Sequence, residues 1–368
     1  MMVNAPPIST GRALEMLLAG WQAQSADQLT ASWMLHGRPG IGKTEVVQTL
    51  AARIGARLFD LRLTTIEPQD LRGLPFFDME RQRTVWFRPE DLPDDPATPS
   101  VLFLDELTAA APQLQPTVYG LLQERRVGPH RLPDSCMVVA AGNTVEDGAI
   151  AYEMGSALSD RLVHLNLVAE AGDWVQGYAV PQGLDPAVIA FIRTRPDLLD
   201  TGEAALRRGD MIACSPRSWA RVSALMRALS DRTLRNTAIG GVLGEAVAAE
   251  FLLIADEIAA TVQIDDMLDA KPKDRLALYP PSMHGMTALI YALVARADAG
   301  NMGQCIEIMA EARRLRDAPF NAMPLAELGA HGFEMLIRKA LDNDMAEAFL
   351  DSPAYAAYAE ERRAAGLE

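Results

Sequence analysis

The segment that most constrains the fold is Gly37–Thr44, which reads GRPGIGKT and fits the pattern G-x-x-x-x-G-K-[ST]. The apolar run Ser32–Leu35 before it predicts a short strand, and the apolar spacing over 43–54 predicts a helix. Glycines in a strand–loop–helix setting let backbone N–H groups surround phosphate oxygens, because no side chain obstructs the approach. The sequence therefore predicts a phosphate-binding loop. A glycine-rich turn without function is the alternative, and the strand–helix context argues against it.

Two further strand ends carry polar residues suited to phosphate chemistry. Residues Val101–Leu107 read VLFLDEL, an apolar strand that ends in two carboxylates, and residues Ala140–Asn143 read AAGN. Open α/β sheets bind ligands at the carboxyl ends of their strands. We expect Asp105 to hold Mg²⁺ and Glu106 to accept a proton from an attacking water, whereas Asn143 would orient that water. An acidic turn and a Gly-Asn turn are the alternative interpretations.

The loop itself supplies the remaining contacts of this predicted site. Lys43 can reach the β- and γ-phosphates, and the Thr44 hydroxyl can bind Mg²⁺. The residues expected to bind the nucleotide are Gly37, Arg38, Pro39, Gly40, Ile41, Gly42, Lys43 and Thr44.

Short apolar runs alternate with helical patterns through the first half of the chain, which predicts an α/β fold with a parallel five-stranded sheet between helices. The predicted strands are Ser32–Leu35, Arg57–Leu63, Val101–Leu104, Met137–Ala141 and Leu162–Leu167. Turn-rich stretches at 70–93 and 127–133 interrupt the pattern as insertions. Helical patterns dominate after residue 170. We expect an α/β domain over 1–169, an all-helical lid over 170–280 and a helical C-terminal section over 281–368.

Composition narrows the function classes. The 368 residues carry 34 Lys and Arg against 49 Asp and Glu, a formal net charge of -15. This acidic balance argues against a broad nucleic-acid-binding or anionic-membrane surface. Cys136, Cys214 and Cys305 show no metal-binding spacing, and neither a secretory signal nor a run of about 20 apolar residues is visible. We expect a soluble, cytoplasmic protein without membrane insertion.

Together these motifs resemble an AAA+ ATPase of the MoxR branch, over roughly residues 11–251. The resemblance makes Gly37–Thr44 the Walker A motif, Asp105–Glu106 the end of Walker B, and Asn143 sensor 1. The segment EMGSALSDRL, Glu153–Leu162, is similar to the arginine-finger segment of that branch, with Leu162 in place of a Phe. Its Arg161 would reach the nucleotide of the neighbouring subunit. SPRSWARV, Ser215–Val222, is similar to the sensor 2 segment and would place Arg217 at the γ-phosphate. The two insertions stand where the branch carries its helix 2 insert and pre-sensor 1 hairpin.

The resemblance implies an Mg²⁺-dependent ATPase that forms a homo-oligomeric ring, expected to be a hexamer, and remodels a protein partner as a chaperone. It also implies a partner with a von Willebrand factor A-type domain on a separate polypeptide. The rival class is a nucleic-acid motor or loader of the AAA+ class, which the small basic cluster Arg125, Arg126, His130 and Arg131 supports only thinly. A third hypothesis is a nucleotide-binding assembly factor that barely hydrolyses ATP.

Overall fold

The computed structural model describes residues 3–143, 159–364 and 366. The chain divides into two compact units, the first made of Met1–Trp174 and Leu199–Ser218 and the second of Val175–Leu198 and Trp219–Glu368. The expected domain boundaries at 169 and 280 stay a prediction.

The first unit is built on a parallel sheet, and the predicted α/β fold is confirmed. The strands of the chain, including those of two hairpins, are β1 Pro7–Ile8, β2 Ser32–His36, β3 Arg57–Arg62, β4 Pro75–Asp78, β5 Arg83–Trp86, β6 Ser100–Asp105, β7 Arg126–Val127, β8 His130–Arg131, β9 Cys136–Gly142 and β10 Leu162–Leu167. The main sheet has the order β1-β10-β2-β9-β6-β3, and every neighbouring pair is parallel. All five predicted strands are present.

The sixth strand, β1, is absent from the sequence prediction. Its two residues pair with the end of β10, Pro7 with Asn166 and Ile8 with Leu167. Two residues are too few to show a strand periodicity, so this strand depends on the edge that β10 offers.

The helices, in chain order, are α1 Thr10–Ser25, α2 Lys43–Arg53, α3 Pro68–Arg72, α4 Gln115–Glu124, α5 Ala171–Trp174, α6 Pro186–Thr194, α7 Gly202–Arg208, α8 Pro216–Ala228, α9 Arg232–Leu243, α10 Glu245–Thr261, α11 Ile264–Asp269, α12 Met283–Arg296, α13 Met302–Arg314, α14 Leu325–Asp342, α15 Glu347–Leu350 and α16 Pro353–Ala364. A π-helix, Val175–Ala179, follows α5.

Strand β6 shows why the sheet is buried on both faces. Val101 and Phe103 pack in one core cluster with residues of α1 and α2, whereas Leu102 and Leu104 pack in another with residues of α4. All four side chains are fully buried. A continuous apolar run is what such a strand needs, because successive side chains point to opposite faces and both faces are covered.

Both predicted insertions contain a two-stranded antiparallel hairpin. In the first, β4 pairs with β5, and in the second, β7 pairs with β8. The first hairpin exposes large apolar side chains, Phe76, Phe77 and Phe87 among them, with 54 to 59% of each accessible.

The secondary structure of the second unit, over its described residues, consists of helices. Two clusters of aromatic side chains pack between them. Phe191, Trp219 and Phe251 contact one another with ring centroids 5.3 to 5.6 Å apart. Farther along the chain, Phe333 stacks on Tyr358 at 4.3 Å. Within the ranges that the model describes, no helix is both long and apolar enough to cross a membrane.

Candidate nucleotide site

The backbone of the glycine loop has a shape that only glycine adopts without strain. Gly37, Gly40 and Gly42 have φ angles of 149°, 84° and 111°. A Cβ on Gly37 would lie 2.9 Å from the Leu167 carbonyl oxygen, and one on Gly40 would lie 2.8 Å from the Ser215 hydroxyl. Helix α2 begins directly after the loop, and the first N–H groups of a helix have no partner within it. The loop and helix start thus form an anion-binding cradle.

The Lys43 ammonium joins the glycine loop to the neighbouring strand. Its Nζ donates hydrogen bonds to the carbonyl oxygens of Gly37, at 2.5 Å, and Arg38, at 3.1 Å. It also donates to Oδ1 of Asn143 at 2.7 Å, although the two residues are 100 positions apart. Asn143 directly follows β9, which pairs with β2, the strand before the loop. The carboxyl ends of two adjacent strands therefore bring these two predicted site residues together.

The Asn143 main chain has its own support. Its carbonyl oxygen accepts a hydrogen bond from the Thr108 hydroxyl at 2.8 Å. Thr108 is buried in the short helical turn that follows β6. The turn after β6 thus stabilises the end of β9, its neighbour in the sheet.

Asp105 and Glu106 lie at the carboxyl end of β6. This strand pairs with β9 on the side away from β2. Asp105 is 9% exposed, and its Oδ1 accepts a hydrogen bond from the Glu106 N–H at 2.8 Å. Glu106 has a left-handed backbone, with φ 59°, a conformation that costs about 1–3 kcal/mol in a non-glycine residue. Its Oε2 accepts a hydrogen bond from the Thr64 hydroxyl, and its Oε1 lies 3.9 Å from Arg62 Nε. The two carboxylates are thus held in different environments.

Negative charge accumulates at this edge of the sheet. Burial raises the pKa of the Asp60 carboxyl, and the negative charge of Asp105 raises it further, whereas Arg62 opposes the shift. A cation near Asp105 would relieve this repulsion.

The oxygen atoms available to a cation are the Asp105 carboxylate and the half-buried Thr44 hydroxyl on the first turn of α2. These hard ligands suit Mg²⁺, which is usually held by one or two protein oxygens together with substrate phosphates and water. Over the described ranges, no group of three or more His, Cys, Asp and Glu residues could hold a metal alone. The donor set therefore fits a metal that arrives with a bound nucleotide.

The segment that contains Arg217 lies against the glycine loop. The Arg217 N–H donates to the Gly40 carbonyl oxygen at 3.2 Å, while its side chain is exposed. On the same loop, the Arg38 guanidinium lies 3.8 Å from an Asp200 carboxylate oxygen and 3.6 Å from one of Glu203. Residues 199–218 thus hold the loop through a main-chain bond and ion pairs.

Arg161 lies at the opposite end of the sheet. It is exposed and directly precedes β10, whose first residue, Leu162, pairs with Ser32 at the start of β2. A strand rises about 3.3 Å per residue, so Arg161 lies about 20 Å along the strand direction from Gly37. That is farther than its side chain reaches. The preceding residues 153–158 of the predicted finger segment lie outside the described ranges.

Comparison with known proteins agrees with this geometry. The family model of the AAA domain, dynein-related subfamily, matches residues 32–162, from β2 to the start of β10. Residues 32–162 form an AAA+ domain. This stretch includes the glycine loop, both carboxylates and Asn143.

Two curated relatives each match part of the chain. The chain is 36% identical over 115 residues to the ATPase family gene 2 protein homolog B of Mus musculus, covering 31% of this chain and 13% of that one. It is 25% identical over 178 residues to the Chaperone MoxR1 of Mycobacterium tuberculosis, covering 47% of this chain and 45% of that one. The chain thus spans less than half the length of these relatives. The resemblance to AAA+ ATPases of the MoxR branch is confirmed.

A solved structure of an ATPase from Cytophaga hutchinsonii aligns over 78% of this chain and 76% of that one, at 15% identity and a TM-score of 0.35.

Three residues of the candidate site were not predicted from the sequence. Thr64 donates a hydrogen bond to Glu106, and Thr108 donates one to the Asn143 carbonyl oxygen. The Ser215 hydroxyl packs so near Gly40 that a Cβ there would lie 2.8 Å from it. Thr64 follows the end of β3, so the rule that strand ends carry site residues could have identified it. Nothing local distinguishes Thr108 or Ser215, whose roles depend on packing between distant segments.

The basic cluster near the second hairpin divides into inward and outward residues. Arg125 donates to the carbonyl oxygens of Pro133 and Cys136, at 2.9 and 2.5 Å. His130 is 7% exposed and hydrogen-bonds the Arg72 carbonyl oxygen at 3.1 Å. Two of the four predicted basic residues therefore stabilise the local fold. The others, Arg126 and Arg131, are exposed beside acidic neighbours.

Proposed function

We propose that this chain binds ATP with Mg²⁺, hydrolyses it within a ring of identical subunits, and uses the energy to remodel a protein partner. The observation that carries the proposal is the hydrogen bond between Lys43 and Asn143. It joins the anion-binding loop to the strand end beside Asp105 and Glu106. A nucleotide bound to the loop would extend its terminal phosphate toward that edge.

Nucleotide binding exchanges partners at Lys43. The Lys43 Nζ atom donates to two carbonyl oxygens and to the Asn143 amide oxygen. Phosphate oxygens carry more negative charge than these acceptors and form stronger hydrogen bonds with an ammonium group. Thr44 and Asp105 would hold Mg²⁺, which supplies charge neutralisation at the transferred phosphoryl group when bound.

Glu106 is the proposed general base. Its Oε2 accepts a hydrogen bond from Thr64 and its Oε1 faces Arg62, so both contacts affect how readily it accepts a proton from water. Asn143, released from Lys43, would orient the same water. This exchange links water activation to the presence of a γ-phosphate.

Arg161 supports the ring. It lies about 20 Å along the sheet from the glycine loop of its own subunit, so we infer that it would serve the nucleotide of a neighbouring subunit. Arg217 would contact the γ-phosphate through its exposed side chain, while its main chain stays bonded to the loop. The homo-oligomer would be a hexamer by resemblance to the MoxR branch.

A protein partner is favoured over nucleic acid by two surface features. Arg125 and His130 of the basic cluster face inward, which weakens the case for a strand-binding lining. The β4–β5 hairpin exposes Phe76, Phe77 and Phe87, an apolar surface suited to a polypeptide. The relative named Chaperone MoxR1 is consistent with this role. Resemblance to that branch adds a von Willebrand factor A-type domain on the partner.

The proposal is tested by ATP turnover in matched variants. Glu106→Gln should keep ATP affinity near that of the unmodified protein and cut turnover by about 10²–10⁴-fold, because the base is lost while the cradle remains. Lys43→Ala should weaken ATP binding itself. Glu124→Gln, an exposed carboxylate change in α4, is the control and should leave both unchanged. Equal loss of ATP binding in Glu106→Gln and Lys43→Ala would contradict the roles.

The ring is tested by mixing subunits. Arg161→Ala should lower turnover by about 10³–10⁵-fold, the range for an arginine finger. Adding Lys43→Ala subunits should restore part of the activity, because an intact loop then meets an intact Arg161. An Arg161→Ala protein with full turnover would refute the shared site. Stimulation of turnover by single-stranded DNA would favour the nucleic-acid motor instead.

A further inference from the structure

A cavity of about 380 Å³ lies within the second unit, apart from the nucleotide site. Its walls come from residues 176–189, α12 and α14, and are apolar at Leu184, Ile189, Val294 and Met335. Small-molecule sites in proteins typically measure about 300–1,000 Å³ and combine apolar walls with a few polar groups. The size and lining therefore fit a small ligand.

Two of the residues lining the cavity have buried polar atoms without a hydrogen bond. The Tyr291 hydroxyl and the His331 Nε2 are both inaccessible, and neither has a hydrogen-bond partner in the part of the chain that the model describes. Tyr291 as a whole is 2% exposed, and its ring meets that of His331 edge to face at 6.2 Å. An unsatisfied buried polar group costs about 1–3 kcal/mol, and native proteins contain few. Both atoms belong to residues that line the same cavity, so a small shift of either side chain would turn its polar atom toward a ligand there.

The charges around this pair favour an anion. Burial lowers the pKa of His331, as do the positive charges of Arg193 and Arg338, whereas Glu334 opposes them. Burial raises the pKa of Tyr291, and the charge of Arg193 lowers it. Glu334 lies 3.3 Å from Arg362, which neutralises part of its charge. Arg193 and Arg338 form no ion pair with any described residue.

Two more charged residues line the cavity, and neither removes the preference for an anion. The Lys339 ammonium donates to the carbonyl oxygens of Val294 and Ala295, at 2.7 and 2.9 Å, near the end of α12. Asp342 lines the cavity as an exposed side chain, so its charge is screened by water.

We propose that this cavity binds a small organic anion, a carboxylate carried on an apolar body. On binding, the Tyr291 hydroxyl and the His331 Nε2–H turn toward the cavity and donate to the carboxylate. Its charge is stabilised by Arg338 in the cavity wall and by Arg193 outside the wall. The apolar body packs against Leu184 and Val294. This site belongs to the second unit and is independent of the proposed ATP hydrolysis.

Binding is tested by isothermal titration of the full chain with octanoate, and with 1-octanol and octylamine as probes of the same apolar chain. Octanoate should bind at least about tenfold more tightly than octanol, the difference expected for one charge-assisted hydrogen bond. Octylamine should bind most weakly. Octanoate affinity should rise as the pH falls below the ordinary histidine pKa of 6.5, because a bound carboxylate favours the protonated imidazole.

Variants separate a ligand site from a structural role. Tyr291→Phe removes a hydroxyl that has no partner, so it should leave the stability of the free protein unchanged or higher and weaken octanoate binding by about tenfold. Tyr279→Phe is the matched control, since that buried hydroxyl bonds Ile308 and Glu311 outside the cavity. It should lower stability and leave octanoate binding intact. Arg193→Gln, at an exposed position, should also weaken octanoate and spare octanol.

The proposal fails if octanoate does not bind, or if octanol binds as well as octanoate. It also fails if Tyr291→Phe and Arg193→Gln both bind octanoate as the unmodified chain does. Should Tyr291→Phe not fold, Arg193→Gln alone decides. ATP turnover of these variants is a separate readout, so loss of the anion site leaves the proposed function standing.

Discussion

Replacing Asn143 by Ala isolates the contact on which the proposed nucleotide site depends. The substitution removes the amide oxygen that accepts a hydrogen bond from Lys43 Nζ at 2.7 Å. Lys43 is 8% exposed and keeps only the Gly37 and Arg38 carbonyl oxygens as acceptors among the bonds described above. ATP then has one hydrogen bond fewer to displace at Lys43. We expect the variant to bind ATP more tightly while it hydrolyses ATP more slowly.

The magnitude follows from the strength of one hydrogen bond to a charged group, about 1.5–3 kcal/mol. Since the two carbonyl oxygens remain and Lys43 can shift toward them, we expect the free energy of the lost hydrogen bond to lie at the lower end of this range. At 1.4 kcal/mol for each factor of ten, the affinity for ATP should rise by about tenfold. Turnover should fall by about 10²-fold, because the water near the γ-phosphate loses its orienting amide.

The assay is isothermal titration with a non-hydrolysable ATP analogue, beside steady-state turnover. Asn143→Asp is the matched control. Its carboxylate should hold Lys43 more firmly and repel the terminal phosphate, so that analogue affinity falls below that of the unmodified protein. An Asn143→Ala protein that binds the analogue as weakly as Lys43→Ala would refute the exchange of partners at Lys43.

The sequence predicted those parts of the fold that depend on short-range patterns. The buried strand β6 appears as an uninterrupted apolar run, and the glycine loop requires φ angles that its glycines alone accept. Helix α2 spans Lys43–Arg53, close to the helix that the apolar spacing over 43–54 predicts. In each case the physical cause lies within a few residues of its effect.

The sequence could not predict the contacts that join distant segments. The hydrogen bond from Thr108 to Asn143 and the contact between Ser215 and Gly40 both depend on how strands and turns pack. Glu106 also adopts a left-handed backbone that its residue type does not favour. Residue patterns identified the chemical groups, whereas tertiary packing determines which groups meet.

Three further predictions test local features of the structure. Gly40→Ala and Gly42→Ala should each cost about 1–3 kcal/mol of backbone strain, but only the Cβ on Gly40 meets Ser215, so adding Ser215→Gly should recover thermal stability in the first variant alone. Thr108→Val should lower ATP turnover by about tenfold and leave ATP affinity unchanged in titration, because it releases the Asn143 main chain and spares the cradle. Burial raises the pKa of Asp185 above the ordinary 3.8, and its carboxylate caps α6 at the Ala187 N–H. The stability contributed by this group is therefore present below that ordinary value and lost as the pH rises through the folded pKa. In urea unfolding near neutral pH, Asp185→Asn should be at least as stable as the unmodified chain, and Asp185→Ala about 1 kcal/mol less stable.

Three charged groups of the nucleotide site each have a polar or charged partner within the protein. Lys43 is bonded to Asn143, Glu106 to Thr64, and Arg38 lies within ion-pair distance of Asp200. A buried charge without a partner would destabilise the fold by several kcal/mol. Each internal partner lowers that cost, and we expect nucleotide binding to exchange these contacts for hydrogen bonds to phosphate oxygens. The exchange favours a ligand whose oxygens carry more charge than a carbonyl or an amide, as phosphate does. We therefore expect the contacts of Lys43, Glu106 and Arg38 to favour a polyphosphate over a neutral ligand.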